Sequence, residues 1–393
     1  MHDEVWLTTG VRSPFGRFGG ALRDMPMVNL GTQVVHAALR RGVWTGEDLD
    51  ELYLGVAMIE GGLMVPARQV AAAADLPLAL PTLTVDRACC SGMSIVGLAS
   101  RSVTSGANAV VCLGIEVMSR TPRLLHETRW GSRRGDLVVE DLLLMRSPLA
   151  GQPIARYVGE VALAHGVDRA AQDNWALRSH RRYHEALDAG FFSDEVIDVT
   201  TPSGVVSTDE APRRDTSAEA LGMLPTVYES PSVTAGNAPG LNDGAAAVLI
   251  ASSEMLEQHG QAPLARVAHY VQTAGAADSS AYLPGDAIAM LLDRASLRPE
   301  DLDVIEINEA FAATPLVSLR RLAGGDAPLG EALAERTNPN GGAVALGHPT
   351  GASGTRILLT AARELQRRQG RWAAVAICGG FGQTDAVLLE RAR

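Results

Sequence analysis

Asn338-Pro-Asn-Gly-Gly-Ala-Val-Ala-Leu-Gly-His-Pro-Thr-Gly-Ala-Ser-Gly-Thr355 is a glycine-rich turn that delivers one histidine, His348, onto a proline and the start of an apolar helix. Residues 351–369 carry the spacing of that helix, and 373–377 form the short β-rich run that follows it. The same order of parts occurs earlier in the chain. Residues 82–85 read as a strand, Cys89 comes next, 92–106 read as a helix and 109–113 as the following strand. A further strand over 304–307 ends at Asn308.

Short β-rich runs alternating with long alanine-rich helical stretches predict an α/β fold, a mostly parallel sheet covered by helices. Both halves repeat strand, reactive residue, helix, strand and Gly-rich end, which implies a duplicated unit. Between them, residues from about 118 to 240 differ in character, with Pro and Gly breaks and Arg129, Arg133, Arg134, Arg213 and Arg214. One clear helix is expected there, from a cap at Asp168 to a stop at Gly190. We read this segment as an insertion covering the site, and its arginines as either solvated surface or a clamp for a diphosphate. The expected division is 1–117, completed by 241–260, then 118–240 as the inserted loop domain, then 261–393.

The chain has 393 residues, 46% of them apolar, enough for more than one packed core. Lys and Arg total 34 against 45 Asp and Glu, a net charge of −11 whose field repels nucleic acid and anionic membranes. No run approaches the roughly eighteen apolar residues of a membrane span, and the Met-His-Asp-Glu start lacks a signal-peptide pattern. A cytoplasmic protein is the expectation. Any anionic ligand must meet a local basic patch.

Four cysteines, two of them adjacent at Cys89 and Cys90 and none in a Cys-x-x-Cys pair, describe neither a disulfide framework nor a zinc site. His180 and His184 lie four apart on the expected insertion helix, but with no third ligand evident they read as an ordinary solvated face, and no metal is expected. Neither a Gly-x-Gly-x-x-Gly fingerprint after a strand nor a Gly-Lys-Ser/Thr phosphate loop is present, which argues against nicotinamide or nucleotide chemistry.

Cys89, between a strand and a helix, would place its sulfur at the positive end of a helix dipole, where a thiolate is favoured. Such a nucleophile needs a base, and His348 is the natural one, with Gly347 and Pro349 fixing its ring. Asn308, at the carboxyl end of a strand, can orient a water or an enolate oxygen. Glu309 reads as structural, because an acid beside a developing enolate would oppose it. Cys90 reads as a small residue that permits the turn. Cys378 also ends a strand, and the Gly379-Gly380-Phe381-Gly382 run after it leaves free backbone N–H groups of the kind an oxyanion hole requires.

These four blocks, Cys89-Cys-Ser-Gly, Asn308-Glu-Ala-Phe-Ala, the His348 turn and Cys378-Gly-Gly-Phe-Gly, resemble the thiolase family. Arg12-Ser-Pro-Phe-Gly, Pro66-Ala-Arg-Gln, Gly114-Ile-Glu-Val-Met-Ser, Thr234-Ala-Gly-Asn and Asn242-Asp-Gly-Ala-Ala-Ala extend the resemblance in family order. It implies a thiolase-like duplicated αβαβα layered fold with an inserted loop domain. It also implies an acyl-CoA C-acyltransferase that makes or cleaves the bond beta to a thioester. Cys89 would carry the acyl group, His348 would activate it, and Cys378 would exchange a proton at the substrate alpha carbon. One oxyanion hole would use His348 and a water held by Asn308, the other the N–H groups of Cys89 and Gly380. Substrate contacts are implied at Ile154, Arg214, Ala235, Pro239 and Phe311, with coenzyme A as co-substrate and no prosthetic group. A homodimer or homotetramer is implied too, with an oligomerisation loop in the 124–144 region.

Departures from the family pattern gather where substrate binds. Pro153-Ile154-Ala155 stands for His-Met-Gly, Asn237-Ala238-Pro239-Gly240 for Asn-Ala-Ser-Gly, Met223-Leu224 for Lys-Leu, and Asp86 for Asn. Two other readings compete with the acyltransferase. A decarboxylating ketoacyl synthase would not call for Cys378, and a non-catalytic acyl-CoA or lipid binder would not call for the four reactive positions.

Overall fold

The computed structural model describes residues 4–131, 134–144, 149 and 151–392; Arg133 lies outside them. In the first half, strands β1 (Val5–Arg12), β2 (Glu51–Gly55), β3 (Thr82–Val85), β4 (Ala109–Val117) and β5 (Asn242–Ser252) lie in the order β3-β2-β4-β5-β1. The pairs β3·β2 and β2·β4 are parallel, and β4·β5 and β5·β1 antiparallel. In the second half, β6 (Ala265–Ala274), β7 (Val304–Ile307), β8 (Trp372–Gly379) and β9 (Gln383–Arg391) lie in the order β7-β8-β9-β6. There β7·β8 is parallel, and β8·β9 and β9·β6 antiparallel. A single parallel bridge from Ile305 to Thr337 takes the place that β3 holds in the first half. The two halves therefore repeat one order and one set of directions. Their sheets join along a short antiparallel seam, Trp6 to Arg266 and Leu7 to Ala265.

Every residue of β4 and β5 is buried, the continuous apolar pattern of strands covered on both faces. Helices α1 (Met27–Arg41) and α2 (Pro66–Ala73) cover the outer face of the first sheet through Leu30, Val34 and Val70. Between the sheets, Met93, Ile95 and Val96 of α3 (Ser91–Thr104) share a core with Ile357 and Leu358 of a long helix, Thr350–Arg367, and with Val110, Val248, Val375 and Val387 of both sheets. Small residues let this layer close up. A Cβ on Gly114 would come 2.6 Å from the Gly351 carbonyl oxygen, and the Thr355 hydroxyl donates to the Gly92 carbonyl over 2.8 Å. Ala287, Ile288 and Leu291 of a helix over Leu283–Ala295 cover the outer face of the second sheet. The result is the five-layered, duplicated α/β architecture.

In the intervening segment, α4 (Ile154–Ala164) and α5 (Arg169–Asp188) are the two longest helices. Asp168 caps α5, its carboxylate accepting from the Ala171 N–H over 2.8 Å, and Gly190 takes the left-handed conformation beyond its end. Arg12 of β1 anchors the segment. It donates from Nε to Glu195 over 2.6 Å and from both terminal nitrogens to Asp209 over 2.7 and 2.9 Å. Element ends shift from their expected places: β4 and β8 are longer than the short β-rich runs suggested. The reading of His180 and His184 as a solvated face is corrected. His180 is buried, its Nδ1 accepts from the Arg213 N–H over 3.1 Å, and burial pushes its pKa down to about 4. Both ring nitrogens of His184 are buried as well. No helix among the described residues is long and apolar enough to cross a membrane.

Candidate active site

Cys89 occupies the tight turn between β3 and α3. Ala88, just before it, is held at φ +50°, a left-handed conformation that costs a non-glycine residue roughly 1–2 kcal/mol. Hydrogen bonds on both sides hold the turn: the Ala88 N–H donates to Asp86 over 2.9 Å, the Ser91 hydroxyl donates to the Ala88 carbonyl over 2.6 Å, and the same hydroxyl accepts from the Arg87 N–H over 2.8 Å. The sulfur faces the backbone N–H groups of Gly380 and of Cys89 itself. Burial nonetheless outweighs these donors and pushes the thiol up to about 12. Burial thus opposes the helix dipole, and the thiol proton must be removed for the sulfur to act. Cys90 is fully buried and donates from Sγ to the Ile377 carbonyl over 3.2 Å.

His348 ends the glycine-rich turn that begins at Asn338. Gly347 precedes it at φ +104°, which favours glycine, and a side chain there would collide with Asn242. Asn242 clamps the backbone, accepting from the His348 N–H over 3.1 Å while donating to the Gly16 carbonyl over 2.8 Å. On the ring, Nδ1 lies 2.7 Å from the Ser353 hydroxyl, which itself donates to the Pro349 carbonyl over 3.0 Å. With its single proton used on Pro349, Ser353 accepts from Nδ1–H. Nε2 is therefore the lone-pair nitrogen. Burial and the nearby Arg356 hold the imidazole neutral, its pKa pushed down to about 3. Neutral base and neutral thiol are matching states.

Asn308 follows β7, and its Nδ2 lies 3.5 Å from His348 Nε2, while its Oδ1 is buried without a hydrogen-bond partner among the described residues. The adjacent Glu309 points into the structure. It accepts from Trp175 Nε1 (2.8 Å), the Ser179 hydroxyl (2.8 Å), Asn338 Nδ2 (3.0 Å) and the Val344 N–H (2.9 Å), so it ties the insertion to the His348 turn. Glu116 does similar service at the start of the Thr350–Arg367 helix. It accepts from the Thr350 hydroxyl (2.5 Å), the Gly351 N–H (3.0 Å) and the N–H groups of Ala57 and Met58 (3.0 Å each). Burial pushes its pKa up to about 7 against these donors.

Cys378, 3% exposed, precedes Gly379 at the end of β8, and burial raises its thiol far above the ordinary value, with Cys89 adding to the effect. The following turn reverses at Phe381 (φ +61°) and Gly382 (φ +72°), and the Gly380 N–H just before it faces the Cys89 sulfur. Cys89, His348, Cys378 and Gly380 all line one cavity of 370 Å³. Of the residues named for substrate contact, Ile154, Ala235, Pro239 and Phe311 line it too. Arg214 does not; it lies at the surface, paired with Asp188 over 2.9 Å. Leu143, Leu144, Val158, Val227, Tyr228 and Ser280 complete much of the wall without having been singled out in the sequence. Ser353 and Asn242 lie in quoted stretches of the sequence without a role assigned there, and their roles arise from contacts that no local motif signals. Among the described residues no group of three His, Cys, Asp or Glu is placed to hold a metal ion.

Residues 5–254 match the family model described as "Thiolase, N-terminal domain" and residues 261–391 the one described as "Thiolase, C-terminal domain". The chain is 38% identical to the β-ketoadipyl-CoA thiolase of Pseudomonas aeruginosa over the whole of both chains. It is 37% identical to the human mitochondrial 3-ketoacyl-CoA thiolase, covering 98% of each. The crystal structure of human mitochondrial 3-ketoacyl-CoA thiolase in complex with CoA superposes with a TM-score of 0.94 at 34% identity, over 99% of this chain and 98% of that one. None of these three relatives bears the name of a decarboxylating synthase or of a non-catalytic carrier.

Proposed function

This chain belongs to the thiolase family and is an acyltransferase, and from that premise we propose how its residues divide the reaction. His348 Nε2 takes the Cys89 proton as the sulfur attacks the thioester carbonyl. The developing oxyanion meets the N–H groups of Cys89 and Gly380 and collapses to an acyl group on Cys89, expelling the coenzyme A thiolate, which then takes the Cys378 proton. The Cys378 thiolate left behind removes a proton from the alpha carbon of a second acyl-CoA, whose enolate oxygen is held by the Nε2–H that His348 gained from Cys89 and by a water on Asn308. The C–H electron pair forms the new carbon–carbon bond, the Cys89 thioester breaks, and the Cys89 thiolate recovers its proton from His348. Cleavage by coenzyme A runs the same steps backwards. Coenzyme A is the acyl carrier and co-substrate, and no prosthetic group enters any step.

The observation that carries this reading is the convergence of Cys89, His348, Cys378 and Gly380, drawn from both halves, on one cavity. Its walls also indicate the acyl class. Leu143, Leu144, Val158, Val227 and Phe311 are apolar, and no arginine among the described residues lines it, a wall suited to an uncharged acyl chain. A 3-ketoacyl group larger or more branched than acetoacetyl, and uncharged, is the proposed substrate. Residues 118–240 form the proposed insertion over this cavity. A homodimer or homotetramer is proposed, supported by exposed Leu124, Leu125, Val138 and Val139 on or beside the small Arg123–Leu125 and Val139–Asp141 hairpin. The test is thiolysis of a 3-ketoacyl-CoA panel with free coenzyme A. Loss of the ketoacyl species without any malonyl substrate supports the reading, and a panel left wholly uncleaved overturns it.

A further inference from the structure

Cys89 sits between two residues that are each bonded to the opposite half of the molecule. On one side, the Arg87 guanidinium pairs with Asp385, whose side chain is wholly buried. Arg87 also donates from Nε to Gln383 over 3.2 Å and from Nη1 to the Ser94 hydroxyl over 3.2 Å. Asp385 takes further hydrogen bonds from Ser94 and, over 2.9 Å, from the Tyr270 hydroxyl. On the other side, Cys90 donates from Sγ to the Ile377 carbonyl over 3.2 Å. All the partners from the second half except Tyr270 surround Cys378 on the β8/β9 hairpin. In that hairpin Ile377 pairs with Asp385, Cys378 with Thr384 and Gly379 with Gln383. The fit is tight enough that a Cβ on Gly379 would come 2.7 Å from both the Arg87 carbonyl oxygen and the Cys90 sulfur.

Only Ala88, in its left-handed conformation, separates Arg87 from the nucleophile. A movement of the guanidinium is therefore transmitted to Cys89 through two peptide units that have little slack. The first half-reaction needs only Cys89, His348 and the oxyanion donors. The second also needs the acyl carbon on Cys89 to lie at a set separation from the Cys378 sulfur. Reactions of that kind fall about a hundredfold for a misplacement of about 1 Å. We propose that Arg87 is a positioning residue for the carbon–carbon bond step: through its pairing with Asp385 it fixes the turn carrying Cys89 against the hairpin carrying Cys378. This inference rests on the role given to Cys378 above.

The test separates the two steps in Arg87→Met, Arg87→Lys, Cys378→Ala and the unaltered enzyme. Acylation is read as the mass adduct on Cys89 formed from acyl-CoA. The Cys378 step is read as exchange of the acyl-CoA alpha hydrogens with deuterated water. Arg87→Met should acylate within a few-fold of the unaltered enzyme and lose exchange and overall turnover by about a hundredfold. Arg87→Lys, which keeps a charge for Asp385 without the planar fork, should recover part of the loss. Equal losses in both readouts, or normal exchange by Arg87→Met beside an inactive Cys378→Ala, overturn the inference alone. Exchange by Cys378→Ala at the unaltered rate overturns the reading of Cys378 and this inference with it. Should Arg87→Met fail to fold, Asp385→Asn, which removes the charge and keeps hydrogen-bonding capacity, carries the same comparison with the same outcomes.

Discussion

His348 donates from Nδ1 to the hydroxyl of Ser353 across 2.7 Å, five residues along the same chain and inside the first turn of the helix that the histidine introduces. The hydroxyl is itself committed to the Pro349 carbonyl, so the arrangement selects one tautomer and leaves Nε2 as the basic nitrogen. The base is thus prepared by its own helix rather than by a carboxylate.

Ser353→Ala should lower the specificity constant of both half-reactions. A buried N–H left without a partner costs about 1–3 kcal/mol, or roughly 5- to 150-fold in rate if the whole cost falls on the base. Ser353→Thr, which keeps a hydroxyl, should recover most of it. Steady-state kinetics of the three enzymes measure this, and an Ala variant with unaltered kinetics would show that the tautomer is held by other means.

Removing the base should expose the pKa of the nucleophile. His348→Ala should slow acylation of Cys89 by about a hundred- to ten-thousandfold. Because burial pushes the thiol up to about 12, its thiolate fraction rises tenfold per pH unit below that value. The residual acylation rate of the variant should therefore climb with unit slope from roughly pH 7 to pH 9. In the unaltered enzyme the imidazole is held neutral down to about 3 and accepts the proton directly, so the profile should be flatter. Rapid-quench acylation at several pH values checks both, and a variant whose rate levels off near neutral pH would contradict the assigned state of Cys89.

The two thiols should separate cleanly. Incubation with acyl-CoA should leave a mass adduct on the peptide containing Cys89, and Cys89→Ala should abolish it. Cys378→Ala should retain the adduct and lose condensation and cleavage. An adduct confined to Cys378, or its loss in both variants alike, would overturn the assignment.

Two wall residues should set the acyl preference. Ile154 at the start of α4 and Pro239 both line the cavity, and each is stiffer than the methionine or serine it stands for in the family pattern. Ile154→Met and Pro239→Ser should shift the ranking of 3-ketoacyl substrates toward acetoacetyl-CoA, each by roughly ten- to two-hundredfold at most. A substrate panel ranked with acetoacetyl-CoA first, and unmoved by either change, would show that the two positions do not decide specificity.

Glu309 should matter for stability more than for chemistry. Its carboxylate satisfies Trp175, Ser179, Asn338 and the Val344 N–H inside the protein, so Glu309→Ala leaves several buried donors unpartnered. A loss above about 3 kcal/mol is expected on summing such penalties. Denaturant unfolding measures it, and an unchanged midpoint would mean that water replaces the carboxylate.

Much of the proposed site was legible because its candidate residues sit where regular elements end. Cys89 after β3, Asn308 after β7 and Cys378 at the end of β8 follow from strand periodicity broken by glycine and small residues. His348 follows from a turn rich in glycine ahead of a helix. The protonation states were not legible. Position before a helix favours a Cys89 thiolate, whereas desolvation, which depends on how the second half closes over it, opposes one. His180 misled for the same reason: its helix looks amphipathic and charged, yet Arg213 from the loop beyond packs over it.

The sequence by itself determined the duplicated α/β order, the family and the candidate residues for the chemistry, because each is written in local periodicity, turn composition or short motifs. Tertiary structure alone decided that Arg214 pairs with Asp188 away from the cavity, that Ser353 and Asn242 set the histidine, and that Arg87 reaches Asp385. Except for Ser353, these are contacts between residues 26 to 298 positions apart along the chain. Their partners, burial and charge exist only once the two halves and the insertion have packed, and no pattern confined to one stretch of chain encodes them.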